Sequence, residues 1–312
     1  MKKVLYITDR GCNIPYLDKV LTLLHSDKKI SVQHANLYDY IQSGDSQNQF
    51  DILIYQTFPH ENHPNKWNHS LIKNSDKKFL EFKGHSILFD AHDSSSVDAF
   101  SRFKNVYPRI KNSPSKQYFK NFDVILETAF CFREDNFWSP HILQTNENRN
   151  YDVSYCVSYG YDPKYAQGIV KKFTTEKIRE NVRDILKSSK HDVDMEWHDN
   201  YSEYMKQVLI SVCVPGWCEG SLRHLESLNY GALMFSHESI NDCKIVPNVD
   251  LIDGEDYVSF NLGNLEERLN YLLSNKDEID RIRFNGHRKF KNGYDFNKSA
   301  DKLFKYIEGI NG

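Results

Sequence analysis

Short apolar runs, each closed by a polar or turn-forming segment and separated by stretches of helical periodicity, recur along this chain and restrict it to few folds. Residues 4–8, 30–34, 51–56, 85–90 and 122–127 are such runs, and Leu17, Val20, Leu21 and Leu24 stand at helical spacing within 14–25. Strands alternating with helices form a parallel sheet covered on both faces, and a strand buried on both faces reads as a continuous apolar run. The polar segment 146–151 interrupts the pattern, which then restarts. Predicted strands at 153–157, 208–214 and 232–236 are interleaved with helices at 163–187, 201–207 and 220–230. Helices at 265–274, 276–290 and 298–308 follow. The expectation is an α/β chain with an N-terminal domain over 1–148, a second over 149–295, and a last helix within 296–312 that packs back on the first. Ligands of such sheets bind at the loops that follow the strands.

Several function classes are excluded on composition and motif. The net charge of −3 leaves no global positive field to attract nucleic acid, although a local one is allowed. The six cysteines are scattered with no Cys-x-x-Cys pair, which argues against a zinc constellation or a disulfide framework and for reduced thiols in the cytoplasm. The Met-Lys-Lys start runs directly into an apolar strand, so neither a signal segment nor a membrane span is expected. The first strand is not followed by Gly-x-Gly-x-x-Gly, which disfavours a nicotinamide dehydrogenase, and neither a phosphate-binding P-loop nor Gly-x-Ser-x-Gly is present.

The stretch from Pro215 to Leu233 carries the chemistry. A strand ends at Pro215-Gly216 and a helix begins a few residues later, so backbone N–H groups around Gly220, Ser221 and Leu222 and the positive helix end form an anion site. Arg223 and Glu226 are three apart and share a helical face, while Leu222, Leu225 and Leu228 form the stripe expected to pack on the sheet. A guanidinium followed one turn later by a carboxylate suits a nucleoside diphosphate: Arg223 for phosphate oxygens, Glu226 for the ribose hydroxyls. The bland alternative is an ordinary surface ion pair, worth little. Gly231 is placed to stop the helix before the next strand.

Leu222-Arg223-x-x-Glu226, followed by Gly231-Ala232-Leu233 and a strand, resembles the nucleotide-sugar site of GT-B glycosyltransferases, including CgeB-like and exostosin-like transferases and phage DNA β-glucosyltransferase. The likeness spans residues 151–291; the N-terminal half shares only the general pattern. It implies two Rossmann-like domains with parallel sheets facing a central cleft, and transfer from a nucleotide-sugar, a UDP-sugar first, with no further cofactor. It also implies that Arg223 and Glu226 contact diphosphate and ribose, and that a loop after the strand at Tyr155 touches phosphate, through Gly160 and Lys164 or, alternatively, Lys171 or Lys172. Glu219 joins the donor site, but it does not meet the longer glutamate-to-glutamate spacing of many retaining members.

Transfer needs a base near the anomeric carbon, and in an inverting reaction a carboxylate serves. Asp90-Ala91-His92-Asp93 closes a predicted strand, making Asp93, then Asp90, with His92 beside them, the candidates; Asp90 could instead cap a helix. Arg10 and His60 lie at other strand ends as candidate acceptor contacts, and the His60–His63 loop is read as solvent-exposed rather than metal-binding. Arg109 and Lys111 belong to a run of cations over 102–120 that includes no acidic residue. That run is read as a solvated face or as an acceptor surface for DNA or an acidic glycan. Asp192-Val193-Asp194 is read as a solvated turn, not as a manganese motif. The readings left open are a metal-independent transferase with a glycan acceptor, a DNA-modifying transferase, and a nucleotide-sugar epimerase or non-catalytic nucleotide-binding module.

Overall fold

The computed structural model describes residues 1–8, 15–56, 69–91, 103, 107–129, 143, 149–157, 170–216 and 219–310. The chain forms two compact units, one of Met1–Cys131 with Asp295–Gly312 and one of Phe132–Tyr294. Among the described residues, no helix is long and apolar enough to cross a membrane.

The first unit is a six-stranded sheet with order β2-β1-β3-β4-β5-β6, every pairing parallel. Its elements are β1 (Lys2–Ile7), α1 (Pro15–Ser26), β2 (Ile30–Ala35), α2 (Leu37–Gln42), β3 (Ile52–Gln56) and α3 (His69–Leu80). They are followed by β4 (His85–Asp90), β5 (Arg109–Asn112), α4 (Lys116–Asn121) and β6 (Val124–Thr128). The apolar runs are sealed as their composition demands: all five residues of β3 are buried, and α1 buries Leu17, Val20, Leu21 and Leu24. The last helix of the chain, Phe296–Gly309, completes this unit by packing on α1 and β6. Asp295 caps it by accepting from Asn297 N, Tyr16 Oη lies 2.8 Å from Ser299 Oγ, and Lys302 Nζ donates to Glu127 Oε2 at 2.6 Å.

The strand β5 lies where the sequence reading placed a solvated face. Its four residues, Arg-Ile-Lys-Asn, are all buried. Lys111 is fully enclosed and donates to Asp90 Oδ1 at 3.3 Å, and Tyr118 Oη donates to Asp90 Oδ2 at 2.6 Å. Arg109 is equally enclosed, its guanidinium 4.2 Å from the centre of the Phe122 ring. The exposed acceptor surface expected of Arg109 and Lys111 is therefore corrected: a buried charge is tolerated only when partnered, and these two are partnered inside the unit.

The second unit is a five-stranded, wholly parallel sheet with order β11-β10-β9-β7-β8. It contains β7 (Tyr151–Ser154), α5 (Val170–Ser188), β8 (Val193–Asp194), α6 (Tyr201–Met205), β9 (Val208–Cys213) and α7 (Leu222–Tyr230). Then come β10 (Leu233–His237), β11 (Val258–Phe260), α8 (Leu265–Leu273) and α9 (Lys276–Gly293), and the helix closing the first unit is α10. Val153, Val182, Ile210, Val212, Phe235 and Leu269 are at the centre of one apolar core. Asp192-Val193-Asp194 is corrected from a solvated turn to the approach and body of β8, an edge strand paired to β7. Because β7 is followed by β8 on one side and β9 on the other, the sheet reverses direction of growth between β7 and β9, the position at which open parallel sheets bind ligands.

Candidate functional site

The helix α7 starts just past the carboxyl end of β9, beside that reversal. Its N-cap is Ser221, in extended conformation, and its C-cap is Gly231 at φ 69°, a left-handed backbone that suits glycine. Gly220 is packed tightly: a Cβ built on it would lie 2.7 Å from Ile245 Cγ2. At the third helical position, where a capping box usually has Glu or Gln, stands His224, whose Nδ1 accepts from Ser221 N at 2.9 Å. Its Nε2 lies 2.9 Å from Ser236 Oγ on β10. With Nδ1 as acceptor, Nε2 carries the proton and donates to Ser236. Burial pushes the imidazole pKa down to about 3, so His224 is a neutral cap that ties the helix start to the sheet.

Arg223 is drawn back across the reversal point. It is 15% exposed, and Nη2 donates to the Cys156 carbonyl at 2.6 Å, just past the end of β7. Nη1 lies 3.6 Å from Met205 Sδ, the guanidinium covers the Tyr201 ring at 4.4 Å, and Nε is 3.7 Å from Glu226 Oε2. Glu226 is also 15% exposed. Burial lowers the Arg223 pKa and raises that of Glu226, each opposed by the other's charge. The pair is thus held part-buried by partners just past β7 and on α6, unlike an ion pair free in solvent. A second guanidinium comes from α5: Arg179 Nε donates to the Pro215 carbonyl at 2.9 Å, immediately after β9. Two arginines therefore bracket the strand ends at the reversal, beside an N-terminal turn whose own N–H groups have no helical acceptors.

Of the residues gathered around the start of α7, the sequence reading names Arg223, Glu226, Gly220 and Ser221 but not Arg179, Tyr201 or His224. His224 was legible in principle, since a polar side chain at the third helical position behind a serine is a capping signal. Arg179 sits beside Ile178 and Val182 on an otherwise ordinary charged helix and carried no local mark. Glu219 is half-buried before α7. Leu222 departs from the expected stripe: Leu225 and Leu228 are buried, whereas Leu222, at the first helical position, is 43% exposed.

The expected base is corrected in part. Asp90 is fully buried and engaged by Lys111 and Tyr118, so its carboxylate is a structural counter-charge and not an accessible base. Asp93, His92, Arg10, His60, Gly160 and Lys164 lie outside the described residues, as does His63. The side chains of Lys171 and Lys172 do too.

No protein-family model and no curated protein sequence matches the chain. Among solved structures it is similar to an alpha-glucosyltransferase in complex with UDP-glucose and DNA containing an abasic site. That likeness has a TM-score of 0.54 and 12% identity, over 98% of this chain and 99% of that one. It is similar also to Anabaena HepE in complex with UDP-glucose (TM-score 0.54, 10% identity, 99% and 100% covered). Sucrose-phosphate synthase from Thermosynechococcus elongatus is a third (TM-score 0.57, 9% identity, 99% of each covered). Likenesses at such low identity establish architecture, and that architecture is GT-B: two parallel-sheet α/β units, the fold of these glycosyltransferases.

Proposed function

We propose that this chain is a glycosyltransferase that takes a sugar from a nucleoside diphosphate donor, a UDP-sugar first, and passes it to an acceptor hydroxyl. The observation that carries the reading is Arg223, anchored on the Cys156 carbonyl at the β7–β9 reversal with Glu226 one turn further along the same face. In this reading the α7 start, with the backbone of Gly220, Ser221 and Leu222, takes the diphosphate together with Arg223, and Glu219 and the loop of Gly160 and Lys164 complete the donor site. Glu226 accepts from the ribose hydroxyls. The cationic groups stabilise charge as it develops on the departing diphosphate, so no metal is required for that step. Asp93, assisted by His92, is the proposed base, and a single displacement with inversion follows. The UDP-glucose complexes of two of the similar structures favour a uridine donor.

The acceptor proposed is a glycan or glycoconjugate. A DNA acceptor is a second reading, favoured by the similar alpha-glucosyltransferase bound to DNA and by one bound to DNA with an HMU base. The enclosure of Arg109 and Lys111 removes two cations from the basic run that the sequence had offered for it, while Lys116 and Lys120 remain exposed. Calorimetry with UDP and UDP-glucose tests the donor site, with binding by the native chain and a marked loss in Glu226→Ala expected. Equal affinity in both would remove the reading. Radiolabelled transfer to glycan and to hydroxymethylated DNA then separates the acceptors, and the anomeric configuration of the product separates inversion from retention.

A further inference from the structure

Cys156 has a second role on its other side. Its carbonyl holds Arg223, while its thiol faces Asp194 at the end of β8 and His198 in the turn that leads to α6. One candidate ligand atom from each of the three lies within 4.8 Å of the other two. These groups are hydrogen-bonded to one another and to their surroundings. His198 Nε2 is 2.8 Å from Asp194 Oδ2, Asp194 Oδ1 accepts from Glu196 N at 2.9 Å, and the Cys156 thiol donates to the Glu196 carbonyl at 2.9 Å. The imidazole is clamped flat against Tyr204, ring centres 3.7 Å apart at 12°, and Tyr204 is itself fixed by its bond to Ser154 Oγ at 2.7 Å. Beside the cluster opens a cavity of about 380 Å³, lined by Asp152, Asp192 and Glu196 as well as Asp194 and His198.

We propose that Cys156, Asp194 and His198 form a binding site for a thiophilic divalent cation, zinc in the first place, with the cavity side left for water. A thiolate, an imidazole and a carboxylate are the ligand types zinc takes, whereas magnesium and calcium select oxygen cages. Bonds of about 2.0–2.3 Å place tetrahedral zinc ligands roughly 3.3–3.8 Å apart, so side-chain rotation on the order of 1 Å closes the set. Binding exchanges the mutual hydrogen bonds for metal bonds and releases the thiol proton. The acidic lining concentrates cations at the mouth, and Tyr204 and the Glu196 N–H orient the ligands as outer partners do in metal sites. The ion would cross-link the end of β7, the edge strand β8 and the turn before α6, fixing the peptide on which Arg223 rests. Nothing in the donor chemistry requires it. Its place is structural.

The test uses the full chain stripped of metal by a chelator and titrated with Co²⁺. One equivalent should produce thiolate-to-cobalt charge-transfer absorption and the strong visible bands of a tetrahedral centre. Zn²⁺ should then suppress both and raise the melting temperature. Cys156→Ser should abolish the charge-transfer band and His198→Ala should weaken binding by more than the roughly 10–100-fold that loss of an outer partner costs. Cys243→Ser, a half-buried thiol elsewhere in the unit, should leave the band intact. Asp194→Asn, nearly the same shape, provides a folded variant if Cys156→Ser misfolds, and it too should lose affinity. No charge-transfer band in the native chain, a band that survives in Cys156→Ser, or Co²⁺ affinity unchanged in Asp194→Asn overturns the proposal.

Discussion

Each unit has an oppositely charged pair at the far end of its parallel strands, and the two pairs have been finished differently. In the first, Lys111 and Asp90 stand 3.3 Å apart with no exposure, and Tyr118 occupies the remaining carboxylate oxygen. In the second, Arg223 and Glu226 stand 3.7 Å apart, each 15% exposed, and the arginine spends its bonds on the carbonyl of another strand and on an aromatic face. The Lys111–Asp90 pair is wholly enclosed. The Arg223–Glu226 pair is oriented by its partners and remains partly exposed, as the proposed donor site requires. Position near the strand ends therefore does not by itself separate a structural charge from one proposed to bind a ligand; exposure and partners differ between the two pairs.

The contrast can be broken most forcefully at Asp90. Replacing it by Ala leaves the Lys111 ammonium buried beside Tyr118, and a loss of about 3–5 kcal/mol in urea unfolding is expected. Asp90→Leu combined with Lys111→Met should recover most of that loss, because an enclosed structural pair is replaceable by apolar groups of similar size. At the second pair the order reverses. Glu226→Ala should fold normally but bind UDP about a hundredfold more weakly by calorimetry, the cost of charge-assisted hydrogen bonds to the ribose, about 2–3 kcal/mol. The double change Arg223→Met with Glu226→Leu should not restore UDP binding.

A smaller effect is expected at the cap. His224→Ala should cost about 1–2 kcal/mol of stability through the lost tie to Ser221. His224 also predicts a pH dependence with a definite sign. Its folded pKa of about 3 lies below the ordinary 6.5, so the unfolded chain binds the extra proton first. Stability is full above pH 6.5 and falls as pH drops from there towards 3. Glutamine at the same place reaches back to the cap without titrating, so His224→Gln should flatten the slope in denaturation midpoints measured across that range. The least effect is expected at Asp301→Asn, whose carboxylate pairs with Lys29 at 3.1 Å and is 61% exposed. Less than about 1 kcal/mol should be lost in thermal unfolding.

What could be read in advance follows the range of the interactions involved. Strands β1, β3, β4, β9 and β10 advertise themselves because their burial is paid in apolar residues adjacent in sequence. The strand β5 does not: Arg-Ile-Lys-Asn contains one apolar residue in four, and its burial is licensed by Asp90, twenty-one positions earlier, and by the Phe122 ring. The short strands β8 and β11 were missed for a related reason, two or three residues giving no period to detect. At the site, the spacing of Arg223 and Glu226 is local and was legible. The Cys156 carbonyl and Met205 that hold the guanidinium are 67 and 18 positions away, and no periodicity encodes them. Cys156 and His198 likewise belong to no metal-binding spacing, because the sheet and not the sequence makes them neighbours.

The helix α10 imposes an order on how this protein is made. It supplies Ala300, Leu303 and Ile307 to the interior of a unit whose other parts are the first 131 residues, so a ribosome must translate everything from 132 to 294 before that interior can be closed. The inserted unit has all of its strands and helices in hand earlier and can finish first. Until then the leading segment waits with the faces of α1 and β6 that α10 covers open to the cell, which makes the interval of synthesis, more than the finished state, its period of greatest exposure to chaperones and proteases.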